Sequence, residues 1–165
     1  VASSAKETIL LDDTTPLLGS RLAEIGGKLI EETLPKLLND NFSETEQNET
    51  EATFCRIIKK EEGHVRWQEE SALEIERKLR GFAPWPGIFG FYSLEEYSAN
   101  KRRLQFTKVE TVTGNFEPGK IYPELIIGTR SGALRILKLK PEGKQEMDAD
   151  SFLRGQAQIV GTFLE

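Results

Sequence analysis

The segment at positions 82–87, FAPWPG, constrains the fold of this 165-residue chain more than any other feature. Two prolines and a glycine cannot continue either a helix or a central strand, so the segment predicts a rigid turn. Apolar residues recur at helical spacing before this turn, whereas short β-type runs follow it. We therefore expect helices in the first half of the chain and a sheet in the second.

The first predicted helix begins near Asp12. Thr15 can cap it, and Pro16 occupies a position where a missing N–H costs nothing. Pro35 should kink the helix or end it. Apolar residues at three-to-four spacing predict one buried face, and they are Leu18, Leu22, Ile25, Leu29 and Ile30.

The second predicted helix follows Trp67 and begins with a capping box at positions 71–74, SALE. Gly81 is a suitable C-terminal stop. We expect Trp85 to act as a wedge that holds this helix against the sheet, and Trp67 to have a similar structural role. The apolar stripe of the helix consists of Ala72, Ile75, Leu79 and Phe82.

Five β-rich runs follow the turn, and they span positions 88–92, 104–112, 120–122, 125–129 and 133–140. Short strands at this spacing suggest a small OB-like antiparallel β-barrel, so the fold class is mainly β with flanking helices. Shifts of the apolar phase within the second and fifth runs predict β-bulges. Gly132 is expected at positive φ in a hairpin loop, and a last helical turn or two is expected at 148–155.

Charge is distributed unevenly along the chain. Positions 1–53 hold four basic and eleven acidic side chains, a net charge of −7, whereas positions 101–144 hold ten basic and four acidic ones, a net charge of +6. A basic face on a small barrel attracts a polyanion such as nucleic acid, but an ordinary solvated sheet surface explains the composition equally well. Exposed aromatic residues for base stacking are scarce, which favours contacts to phosphate and shape.

The residue types that catalysis or metal binding requires do not combine in this sequence. One histidine, His64, and one cysteine, Cys55, cannot assemble a zinc site. The neighbouring Arg56 could lower the pKa of Cys55 and make it a nucleophile, but a buried inert thiol is the more frequent case. No apolar run approaches the roughly 20 residues of a membrane-spanning helix, so no membrane partner is expected. A single cysteine suits a reducing compartment.

The segment at 59–67 has the pattern K-x-E-E…W, and the segment at 80–86 has the pattern R-x-F-x-P-W-P at the end of a predicted helix. These and further collinear motifs over about 100 residues resemble the C-terminal domain of the methionyl-tRNA formyltransferase family. Positions 102–109 match the strand after its variable loop. The P-G-x-I turn, the D-G-x-L-x-I hairpin and the closing L-Q-P-x-G-K-x-x-M…D-F-L-x-G signature of the family are similar to positions 118–121, 131–136 and 139–155.

The chain also departs from the family pattern. Ser131 replaces the common Asp, and Lys140 stands where Gln is usual. The segment at 91–100 is longer than the usual hairpin turn, and its Glu95 and Glu96 put acid beside the basic strand.

The front of the chain resembles the end of the family's catalytic domain, because positions 13–26 look like its D-T-x…L-A-x-x-G helix. The resemblance implies a helix-containing remnant of an α/β transferase domain at 1–38, an acidic linker at 39–53 and the OB-like barrel domain at 54–165. Positions 1–9 fall where the catalytic domain has its last strand. The chain is therefore expected to be the C-terminal half of a longer enzyme.

The resemblance further implies that the catalytic residues and the folate-binding sheet lie upstream. No catalytic or metal-binding residue is therefore assigned here, and the chain alone is expected to be inactive and to bind no cofactor. The parent enzyme would transfer a formyl group from 10-formyltetrahydrofolate to the amine of methionyl initiator tRNA in translation initiation. It would do so in the cytoplasm, or in the mitochondrial matrix if the parent is organellar.

The implied partners are the acceptor arm of initiator methionyl-tRNA and the N-terminal catalytic domain. The candidate tRNA-binding residues are Lys59, Lys60, Arg102, Arg103, Lys108, Arg130, Arg135, Lys138, Lys140 and Lys144.

Two other readings stay open. The barrel could be the structural C-terminal domain of another formyltransferase, acting on a nucleotide sugar or in folate metabolism, with an incidental basic cluster. It could also be a freestanding RNA-binding module, although the orphan first helix argues against this.

Overall fold

The computed structural model describes residues 1–39, 43–93 and 101–165, so the acidic pair Glu95 and Glu96 lies outside the described residues. The chain divides into two compact units, Val1–Ile57 and Ile58–Glu165. The finer division into 1–38, 39–53 and 54–165 stays a prediction. Within the described ranges, no helix combines the length and the apolar character needed to cross a bilayer.

The first unit contains helix α1, Thr15–Leu38, and a short 3₁₀ turn, Glu49–Glu51. The N-cap is Thr14, one residue earlier than predicted, and its side chain makes no capping hydrogen bond. Pro35 does not end the helix, which continues to Leu38.

Polar contacts join the extended N-terminal stretch to α1. Arg21 donates to the buried carboxylate of Asp13 at 2.6 Å and to Glu7 at 2.9 Å. Residues 1–9 form no strand. The predicted apolar face is only partly buried in this unit, because Leu18, Ile25 and Leu29 are half-buried whereas Leu22 and Ile30 are exposed. Thr33 is the one buried residue that the helix contributes among those described.

The second unit is an antiparallel sheet with two helices, α2 (Ala72–Gly81) and α3 (Ala149–Gly155). The strands are β1 (Ile88–Tyr92), β2 (Arg102–Val112), β3 (Ile121–Tyr122), β4 (Ile126–Gly128), β5 (Ala133–Pro141) and β6 (Met147–Asp148). Short 3₁₀ turns lie at Lys60–Gly63, Pro123–Leu125 and Ala157–Ile159. The predicted class, mainly β with flanking helices, is confirmed.

The strand order is β1-β2-β5-β4-β3, and β6 pairs with β5. The named strands therefore form an open sheet, with β1 and β3 at its edges, and strand pairing does not close a barrel. The C-terminal residues hydrogen-bond both edges instead. Ile121 on β3 donates its N–H to Thr162 at 2.9 Å, and Phe91 on β1 exchanges two backbone hydrogen bonds of 2.8 Å with Glu165.

The two predicted bulges are confirmed where β2 pairs with β5. The register skips Thr107 on β2 and Leu137 on β5, which leaves Lys108 directly opposite Lys138. Gly132 has a φ of 75°, as predicted for the hairpin loop between β4 and β5.

The core lies between α2 and the inner face of the sheet. Trp67 is 1% exposed and meets the Phe106 ring edge-on at 5.9 Å, so its structural role is confirmed. The prediction for Trp85 is wrong, because its side chain is 57% exposed. Ile75, on the inner side of α2, is fully buried, and Trp67 is part of the same core, whereas the tryptophan of the turn is not.

Candidate nucleic-acid interface

Strand alternation places basic residues of β2 and β5 on one face of the sheet. Leu104 and Phe106 are buried on the inner face, so Arg103 and Gln105 lie on the outer face. Lys140 on β5 is the register partner of Gln105 and lies on the same side. Neighbouring strands are about 4.8 Å apart, so these side chains share one continuous surface.

The bulges extend this surface along both strands. Lys108 and Lys138 are exposed and directly opposite each other. Like charges in a cross-strand pair repel and destabilise the sheet, and a nearby carboxylate reduces this repulsion. Glu146 lies 3.6 Å from Lys138. Lys108 has no carboxylate within salt-bridge distance among the residues that the structure describes. We call Arg103, Lys108, Lys138 and Lys140 the basic face.

Two of the predicted tRNA-binding residues form ion pairs with carboxylates. Arg130 pairs with Glu74 at 3.0 Å, beside the N-terminus of α2. Arg135 lies on the outer face, 3.2 Å from Glu124 and 3.9 Å from Glu110. These pairs are solvent-exposed, so each is weak in energy, but the acidic partners cancel the local positive charge that would attract a polyanion.

Arg130 pairs with the carboxylate that belongs to the capping box of α2. Glu74 accepts the N–H of Ser71 at 2.7 Å and the hydroxyl of Ser71 at 2.6 Å. These hydrogen bonds, with Arg130 beside them, hold the pKa of the Glu74 carboxyl below its ordinary value of 4.5. Arg130 is thus a structural partner of the helix start.

The remaining candidates lie at the margins of the basic face. Lys59 and Lys60 are exposed at the 3₁₀ turn Lys60–Gly63. Arg102 and Lys144 border a separate small cleft near α3. Across the described part of the chain, none of these four cations forms a salt bridge. The structure therefore brings four predicted residues together on the basic face, adds unpaired cations around it, and separates Arg130 from it.

The described residues contain no catalytic constellation. Among them, no group of three or more His, Cys, Asp or Glu side chains could hold a metal ion. Cys55 is exposed, so its predicted burial is wrong. The segment around it lies outside the sheet and the core, and therefore offers no apolar site for the thiol.

Sequence reasoning missed an aromatic cluster beside the basic face. Phe89 and Phe91 alternate on β1 with the core residues Ile88 and Tyr92, and therefore lie on the outer face with Arg103. His64 joins them, with its ring 5.6 Å from Phe89 and 5.4 Å from Phe91. The i, i+2 spacing of the two phenylalanines was the available signal.

Comparison with known proteins identifies the class of domain that has this sheet. The family model for the formyl transferase, C-terminal domain, matches residues 57–157. The chain therefore belongs to the formyl transferase C-terminal domain family, and the resemblance read from the motifs is confirmed.

Curated relatives include the methionyl-tRNA formyltransferases of Macrococcus caseolyticus and Dehalococcoides mccartyi. The first is 34% identical over 163 residues, covering 96% of this chain and 50% of the relative. The second is 36% identical over 171 aligned positions, covering 99% of this chain and 52% of the relative. This chain spans about half the length of the curated relatives it matches.

Solved structures show the same fold. HypX from Aquifex aeolicus in complex with tetrahydrofolic acid matches with a TM-score of 0.52 and 19% identity, over 76% of this chain and 22% of that chain. A multiply substituted variant of HypX matches with a TM-score of 0.54 and 18% identity, over 81% of this chain and 24% of that chain. At this identity the likeness concerns the fold alone.

Proposed function

We propose that Ile58–Glu165 is the tRNA-binding portion of a methionyl-tRNA formyltransferase. The observation that carries the proposal is the basic face, where Arg103, Lys108 and Lys140 have no salt-bridge partner among the described residues. Cations without carboxylate partners are free to replace the counterions of an RNA backbone. The names of the curated relatives support tRNA as that RNA.

The whole enzyme, in this proposal, transfers a formyl group from 10-formyltetrahydrofolate to the amine of methionyl initiator tRNA. The chemistry belongs to an N-terminal catalytic domain, and the exposed apolar face of α1 is available to pack against it. The basic face holds the acceptor arm through its phosphates. The enzyme acts in the cytoplasm, or in the mitochondrial matrix if it is an organellar enzyme. The chain by itself transfers no formyl group and binds no folate.

A second function is favoured by the fold comparison. HypX, whose structure contains tetrahydrofolic acid, shares this fold at a TM-score of 0.52, so the fold also occurs in a protein that is not named a methionyl-tRNA formyltransferase. In this alternative the domain is structural, in a formyltransferase that acts on a nucleotide sugar or in folate metabolism, and the basic face is incidental.

Equilibrium binding of the full chain to an initiator tRNA over a range of salt concentrations separates the two functions. Phosphate contacts predict a steep linear fall of log K with log salt. Lys108→Gln and Lys140→Gln should each weaken binding and reduce the magnitude of the slope by about one.

Lys120→Gln is the matched control. Lys120 carries the same charge, but Glu117 lies 2.8 Å away and holds the pKa of the lysine above its ordinary value. Lys120→Gln should therefore leave the slope of log K against log salt unchanged. Absence of tRNA binding even at low salt would contradict the proposal and favour the structural alternative.

A further inference from the structure

An aromatic cavity opens beside the basic face. It has a volume of about 400 Å³, which is in the range of small-ligand sites. Phe89, Phe91 and His64 form its apolar part, and Arg103 and Lys60 stand at its basic side. The described residues that line it all belong to the second unit.

The rings of the cavity are arranged as a stacking platform. Phe89, only 5% exposed, lies beneath Arg103, whose guanidinium carbon is 4.0 Å from the ring centroid. Phe91 stands edge-on to Phe89, with 5.6 Å between the ring centroids and an interplanar angle of 84°. Arg103 therefore presents a flat, cationic surface that Phe89 supports from below, and Phe91 forms an adjoining wall.

Two buried nitrogens at this cavity lack hydrogen bonds. Nε2 of His64 and Nε of Arg103 are inaccessible to water and have no partner among the described residues. Unpaired buried polar groups are rare because each loses its hydration without compensation. Because both atoms are buried, a ligand in the cavity does not reach them, and they show instead that the His64 ring and the Arg103 side chain pack tightly in its wall.

Among the described residues that line the cavity, the charges are balanced. Glu61 and Glu142 line it together with Lys60 and Arg103, so two carboxylates oppose two cations there. A phosphate dianion would be repelled by the carboxylates. A neutral, planar heterocycle with both donors and acceptors fits better, because its carbonyl or ring nitrogen can accept from Arg103 and its exocyclic amine can donate to a glutamate.

We propose that this cavity binds an unpaired nucleobase of the RNA whose backbone lies on the basic face. The base stacks on the Arg103 guanidinium and against Phe91, while Lys60 contacts the adjoining phosphate. Stacking on aromatic and arginine planes is how proteins read single-stranded RNA. This inference rests on the proposed function, because the basic face supplies the backbone contacts.

The test compares two RNA hairpins with the same stem, one blunt and one with about four unpaired 3′ nucleotides. The full chain should bind the hairpin with the extension more tightly by about fivefold or more. Phe91→Ala should abolish this preference and leave the affinity for the blunt hairpin and its salt slope unchanged. Phe91→Leu, which keeps apolar volume but has no π face, should lose most of the preference.

Phe163→Leu is the control, because Phe163 is an exposed phenylalanine that does not line the cavity and has Lys120 5.7 Å from its ring centroid. It should keep the preference. Equal binding of both hairpins by the unsubstituted chain, or an unchanged preference in Phe91→Leu, would overturn the cavity proposal while leaving the basic face intact. Loss of binding to both hairpins at low salt would instead refute the proposed function.

A free nucleotide has the same ring chemistry, so adenosine monophosphate is the competing ligand. It should displace the extended hairpin only at high concentration, and should not displace the blunt one. Binding of the free nucleotide as tight as that of the extended hairpin would overturn the assignment to RNA.

Discussion

At the scale of single residues, the charge pattern of the sequence does not show which cations are paired. Arg130 pairs with Glu74, which is 56 positions away, and Arg135 lies 3.2 Å from Glu124. The basic composition of positions 101–144 therefore overstates the number of cations without a carboxylate partner, and the ten candidate tRNA-binding residues stay a prediction. The tryptophans show the same limit, since a pattern of flanking prolines could not reveal that Trp67, rather than Trp85, lies in the core.

One glycine is predicted to be required by close approach of the backbone. A Cβ at Gly128 would lie 2.1 Å from the carbonyl oxygen of Glu117 and 2.7 Å from its carbonyl carbon. Backbone at this position cannot move freely, because Gly128 also exchanges hydrogen bonds with Gly119 and Lys120. Gly128→Ala should therefore destabilise the second unit by about 1–3 kcal/mol, measured by urea unfolding.

Gly155→Ala provides the comparison for this measurement. A Cβ there meets nothing within 4 Å, at the end of α3. It should be neutral or slightly stabilising, since alanine favours helix. Equal stability of Gly128→Ala and the unsubstituted chain would contradict the packing argument.

At the scale of elements, local signals predicted most of the second unit. β1 was predicted with its observed bounds, because the turn at 82–87 marks where it starts. The capping box fixed the start of α2, and phase shifts located both bulges. β6 was missed because two residues carry no periodicity. The sequence pattern could not predict that the strand pairing leaves the sheet open, because the pairing of edge strands depends on residues far apart in the chain.

Helix α2 should give a pH-dependent contribution to stability through Glu74. The pKa of the Glu74 carboxyl in the folded state lies below its ordinary value of 4.5. The contribution of Glu74 to folding stability is therefore fully present above pH 4.5 and is lost as the pH falls through the folded-state pKa. Glu74→Gln should therefore be less stable than the unsubstituted chain at about pH 7, with the difference shrinking at about pH 3. Thermal unfolding measures both.

Ser71→Ala tests the cause of that shift, since the hydrogen bonds from Ser71 to Glu74 are its largest source. The variant should lose stability at neutral pH and retain less of the pH dependence. A difference between Glu74→Gln and the unsubstituted chain that is constant with pH would contradict the assignment.

At the scale of the whole second unit, the C-terminal residues are predicted to be essential for stability. Leu164 is buried in the core, and Thr162 and Glu165 hydrogen-bond opposite edges of the sheet. Removing residues 162–165 should therefore cost about 2–5 kcal/mol for the lost leucine, with further loss from the unpaired edges. Urea unfolding of the truncated and complete chains measures the difference.

Leu164→Ala in the complete chain separates packing from edge pairing. It should destabilise less than the truncation, because the backbone hydrogen bonds remain. A truncated chain as stable as the complete one would show that the C-terminal residues contribute little to either.

The hydrogen bonds from the C-terminal residues to both sheet edges also affect how copies of this chain interact at high concentration. A sheet rim with unsatisfied amide groups is a template on which identical chains stack into ordered aggregates. Here Glu165 and Thr162 occupy those groups on the first and last strands. Removal of these residues would leave the backbone groups of Phe91 and Ile121 without those partners and open to pairing with another chain.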